Sequence, residues 1–126
     1  MKKFVIGISV LSLLLIAGLL AAKLTEEMYR PMISLLEEAA NDALAGNFEN
    51  AKQQAAKAKK LWDRRKKATA TVADHTPMEE IDHLFAEVIV YAHAGEVPHF
   101  AADCAQLAEM IQNMSDAHAP NLWNLL

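Results

Sequence analysis

The stretch Phe4–Ala22, FVIGISVLSLLLIAGLLAA, constrains this chain more than any other feature. Its nineteen residues carry no charge, and only Ser9 and Ser12 are polar. As a helix it would span roughly 28 Å, close to the hydrocarbon thickness of a bilayer. Lys2 and Lys3 precede it and Lys23 closes it. Everything after it can bury an apolar core only by folding outside the lipid.

A basic start followed by an apolar run also describes a secretory signal. Cleavage favours small residues at the −3 and −1 positions, and cutting after Ala22 or Ala21 puts Leu20 or Leu19 at −3. The run is also longer than a usual signal core of about 7–15 residues. An uncleaved anchor over residues 1–23 is therefore expected, with a secreted, cleaved form as the alternative. The positive-inside rule, applied to Lys2, Lys3 and the α-amine, places the N-terminus in the cytoplasm and the remainder outside. The single cysteine, Cys104, excludes an internal disulfide and sits among apolar helix positions.

The remainder is enough for one small domain, expected over residues 24–118, with an apolar tail at 119–126. Frequent Ala, four Gly, four Pro and no alternating apolar–polar run make it all-α. In helix one, Leu24, Met28, Met32, Leu35, Ala39 and Ala43 form one stripe, and Pro31 predicts a kink or restart between Thr25 and Pro31. Helix two, from about Asn47 to Thr71, buries Phe48, Ala51, Ala55, Ala58 and Trp62. Helix three starts with Thr76 as N-cap, Pro77 at the first position and Glu79 completing a capping box. Its stripe is Ile81, Leu84, Phe85, Val88, Ile89 and Ala92. Helix four presents Val97, Phe100, Cys104, Leu107, Ile111 and Met114. Ala45-Gly46-Asn47-Phe48 parallels Ala94-Gly95-Glu96-Val97 at a shift of 49 residues. Two helical hairpins of tetratricopeptide-like flavour, forming an antiparallel four-helix domain, are expected. The tail cluster Leu122-Trp123-Asn124-Leu125-Leu126 should dock on the bundle or beside the anchor.

The charge layout is uneven. Eight of the twelve basic residues lie between Lys52 and Lys67, and from Ala68 onward there are nine acids, all five His and no Lys or Arg. The basic helix either lies against acidic helices in one bundle or turns a basic surface, Lys57, Lys60, Arg64 and Lys67, toward anionic headgroups or a cell-wall polyanion. A net charge of −4 argues against nucleic acid.

The Lys-Lys start, the single anchor, the Asn47-Phe48-Glu49-Asn50-Ala51 turn, the Lys-rich helix ending near Trp62, Asp74-His75, Glu80-Ile81-Asp82 and the Asn124-Leu125-Leu126 ending resemble domain-of-unknown-function family 4363. The resemblance implies a small single-pass anchored protein of Gram-positive bacteria with no assigned activity, keeping company with a multi-pass membrane protein. Pro31, Pro98 and the Thr76-Pro77-Met78 insertion depart from the pattern and bear on the geometry around His75.

Two constellations could carry chemistry. Glu79, His83 and Glu87 share one helical face and could hold a divalent metal, although a solvated acidic face explains them as well. Trp62, His75 and Glu80 could form a buried polar cluster that pins the hairpins, or a ligand site. Cys104 has no partner suited to nucleophilic catalysis, and there is no phosphate-binding glycine loop. The expectation is a non-enzymatic interaction or accessory module with no cofactor, bound to the bilayer through Phe4–Ala22. A sensor or ligand-binding domain using the His75–Glu80 region is the alternative.

Overall fold

The computed structural model describes residues 1–69 and 75–118; the tail expected to dock, including Trp123, lies outside them. Four helices and no strands occur among the described residues: α1 (Lys2–Leu44), α2 (Phe48–Thr69), α3 (His75–Ala94) and α4 (Val97–His118).

α1 runs unbroken through Pro31, so the predicted restart does not occur. One missing backbone donor is tolerated because the helix is held on both sides of it, by Tyr29 and Met32 in the core. The helix changes character along its length. Lys2–Ala21 is long and apolar enough to cross a membrane, and none of its central window is buried by the rest of the chain. Burial begins at Tyr29 and continues through Met32, Leu36, Ala39, Ala40 and Ala43. The expected stripe is thus shifted: Leu24 and Met28 remain exposed, and Tyr29 and Leu36 take their places. Sequence periodicity runs smoothly along the helix, but the bundle begins only at Tyr29.

The two tight turns are built alike. At the end of α1, Asn47 N–H donates to Asp42 O at 2.8 Å; at the end of α3, Glu96 N–H donates to Tyr91 O at 3.0 Å. Between each pair sits a glycine at positive φ, Gly46 at 94° and Gly95 at 71°, as this helix-ending motif requires. Ala51 N–H then bonds Asn47 O and Phe100 N–H bonds Glu96 O, opening α2 and α4. Each of these pairs is related by the 49-residue shift seen in the sequence.

The helices after the turns fold back. Asn50 Nδ2 donates to Asp42 Oδ2 at 2.8 Å, Gln54 Nε2 to Glu38 Oε2 at 3.3 Å, and Arg65 reaches Tyr29, so residues rise on α2 as they fall on α1. α1 packs most broadly on α4 and almost as broadly on α2; α3 lies on α4 and meets α2 only sparsely. Stacked repeat hairpins would leave the first and last helices at opposite ends. Here those two meet, which corrects the tetratricopeptide-like expectation. The reason is local: Ala39, Ala40 and Ala43 on α1 and Ala101 and Ala108 on α4 are buried and small enough for close approach.

The core contains the expected stripes of α2 and α4 and most of that of α3. Trp62, Phe85, Phe100, Met32, Leu36, Ile81, Leu107 and Ile111 are its largest fully buried side chains. Ile89 departs from expectation, being 40% exposed because α2 and α3 diverge beside it.

Candidate functional site

The sparse α2–α3 edge is where polar chemistry and open space meet. At its lower end Trp62 is buried, and its indole Nε1 donates to Asp82 Oδ1 at 2.7 Å. The other oxygen, Oδ2, receives Lys66 Nζ at 2.6 Å. That hydrogen bond and the charge of Asp82 raise the Lys66 pKa above its usual value. The Trp62 ring stacks on Phe85 with centroids 6.4 Å apart. One carboxylate thereby ties an indole and an ammonium of α2 to α3.

Of the expected cluster Trp62, His75 and Glu80, the described residues place Trp62 in this tie. Trp62 is the buried anchor foreseen, but its partner is Asp82; Glu80 is exposed, and the His75 side chain lies outside the described residues. On a helix Glu80 and Asp82 point about 200° apart, so only one can face α2. The readable signal was position: Asp82 borders the buried Ile81 and precedes the buried Phe85 by three residues.

Above this tie the two helices part, leaving a groove of about 550 Å³. Its floor is Ala55, Phe85, Val88 and Phe100, and its α2 rim carries Lys52, Lys59 and Lys60. Lys52 pairs with Glu49 at 2.6 Å and Lys59 with Asp63 at 2.9 Å. Phe100 of this floor meets Phe48 edge-on, with centroids 5.2 Å apart. An apolar floor with a few polar groups at the lip is the usual make-up of a ligand site.

The expected metal residues are arranged differently. Glu79 and His83 are exposed, and His83 Nε2 stands 3.5 Å from Glu87 Oε1. Glu87 also hydrogen-bonds Asp103 across the α3–α4 interface. Burial first, then that shared hydrogen bond and the Glu87 charge, push the Asp103 carboxyl pKa up, while His99 opposes the shift. Asp103 Oδ2 is buried without a hydrogen-bond partner. Among the described residues no three His, Cys, Asp or Glu side chains converge as a metal site would require. Cys104 is fully buried and its thiol is pushed up to about 12, chiefly by burial.

Of the basic surface, Lys57, Lys60, Arg64 and Lys67 are all exposed. The ties to α1 and α3 come instead from Arg65 and Lys66. Arg65 lies 5.1 Å from the Tyr29 ring centre, with its Nε 3.4 Å from the Tyr29 hydroxyl and Nη1 3.1 Å from Met28 Sδ.

Residues 19–125 match the sequence model of a family described as Domain of unknown function (DUF4363). No curated protein and no solved structure matches the chain.

Proposed function

The chain belongs to the DUF4363 family, and we propose that it is a membrane-anchored accessory module whose antiparallel four-helix domain binds a membrane-protein partner. The observation that carries this reading is the continuity of α1 from the exposed apolar Lys2–Ala21 into the core at Tyr29. A helix shared by span and bundle makes a rigid bracket, suited to holding a surface at a set height above the bilayer. Lys2, Lys3 and the α-amine favour a cytoplasmic N-terminus with the domain on the far side. The surface offered is the outer face of α3, where Val90 is 62% exposed. The test is purification from native membranes with and without Val90→Asp. Loss of a co-purifying membrane protein with an unchanged melting temperature supports the reading; identical companions for both forms overturn it.

A second reading, a ligand-binding domain, is favoured by one observation, the α2–α3 groove. It moves the expected ligand region from His75–Glu80 to the apolar floor around Phe85 and Phe100. Ala55→Leu would fill that floor, and unchanged retention of co-purifying small molecules in the variant would remove the reading.

A further inference from the structure

The membrane-facing end of the bundle has two unlike edges. Arg65 rests on Tyr29, eight residues past Ala21, which at helical rise is about 12 Å beyond the apolar span. α2 runs back toward the span from there, so Lys67 stands roughly 3 Å nearer. Arg64 and Lys67 are exposed, and so is Lys23 on α1. The headgroup layer extends about 5–8 Å past the hydrocarbon. Long basic side chains reach several ångströms down to it, and the screening length at physiological salt is about 8 Å. Lys66 is spent on Asp82, and Arg65 braces α1.

The opposite edge is acidic. Asp82 is held beside Trp62 and Lys66 at the same end, and Glu79 and Glu80 lie within a turn before it, both exposed. Asp116, in the last turn of α4, is exposed as well.

We propose that Arg64 and Lys67 of α2, with Lys23 of α1, seat on the anionic lipid headgroups of the leaflet from which α1 emerges, so that membrane surface charge tilts the bundle toward its α2 edge. Attraction acts at the α2 edge and repulsion at the α3 edge, and both turn the rigid α1 in the same direction. A lean of some 20° is ordinary for a membrane helix, so the bilayer accommodates it. The inference rests on reading Lys2–Ala21 as a span.

The test uses the full chain in lipid nanodiscs containing headgroup-quencher lipid, made with phosphatidylcholine alone or with added phosphatidylglycerol. A fluorophore is placed at Lys60→Cys on α2 or at Glu80→Cys on α3; Cys104, fully buried, stays unlabelled. With phosphatidylglycerol, quenching should rise at position 60 and fall at position 80. Both changes should vanish in about 1 M salt, where screening falls to about 3 Å. Arg64→Gln and Lys67→Gln should each lower the ratio of docked to undocked protein roughly five-fold. Insertion into both discs with identical quenching overturns this inference alone. Failure to insert into either overturns it together with the anchor reading.

Discussion

Trp62 and Asp82 join a buried indole of α2 to a carboxylate of α3 that also holds Lys66. Trp62→Phe keeps most of the ring against Phe85 but removes the donor to Asp82. It should destabilise the domain by about 1–2 kcal/mol, measured by thermal or urea unfolding. Asp103 is the opposite case, a carboxyl held at a disadvantage. Its folded pKa is raised, so the native state binds its proton more tightly than the unfolded chain does. The associated stability is fully present below the ordinary value of 3.8 and is lost as pH rises through the raised folded value. Asp103→Asn should therefore stabilise the domain at neutral pH by about 0.5–1.5 kcal/mol and flatten the pH profile in that window. A variant that is less stable at pH 7, with an unaltered profile, would contradict the assignment. Such pairings were only partly legible beforehand, since a position beside a buried stripe narrows the candidates without choosing among them. Periodicity tells which face is buried, but not which acid at the border of that face meets a neighbour.

At the scale of elements, the two glycine turns do the same work at a distance of 49 residues. A Cβ at Gly46 or Gly95 meets nothing within 4 Å, so the only penalty for alanine is the positive φ. Gly46→Ala and Gly95→Ala should each cost about 1–2 kcal/mol in unfolding experiments, without altering the fold. These turns were readable because a helix end of this kind has a local requirement that glycine alone meets cheaply. The stripes of α2 and α4 were readable for a related reason: both are amphipathic from end to end. α1 was harder. Its apolar positions continue past the bundle, so the sequence pattern could not say where solvent or lipid ends and protein contact begins. Pro31 misled in the same way, since a local helix penalty is offset by packing that only the folded chain supplies.

For the molecule as a whole, Cys104 is a useful reporter. It is fully buried with a thiol pushed up to about 12, so reaction with a thiol reagent requires the helices to open. Labelling rates across pH 7–9 should follow domain stability, slower in Asp103→Asn and faster in Trp62→Phe. Rates that ignore both changes would point to a local opening of α4 alone. Removing residues 1–21 should leave this behaviour intact, because none of that apolar segment is buried against the rest of the chain. The same independence explains why an all-α protein with an apolar N-terminal helix could be read from sequence, while its working surfaces could not.

By itself the sequence determined what depends on neighbours along the chain: the apolar span, helical composition, the glycine turns, the Ala and Trp62 stripe, and the separation of basic from acidic segments. Each follows from local geometry, namely a 3.6-residue period, a backbone angle or an uninterrupted run of apolar residues. Only the tertiary structure decided that α1 and α4 meet, that Asp82 rather than Glu80 holds Trp62, that α2 and α3 part into a groove, and that Lys57, Lys60, Arg64 and Lys67 stay exposed. Those outcomes depend on which faces find each other across dozens of intervening residues. Close packing of small side chains settles that competition, and no single segment encodes it.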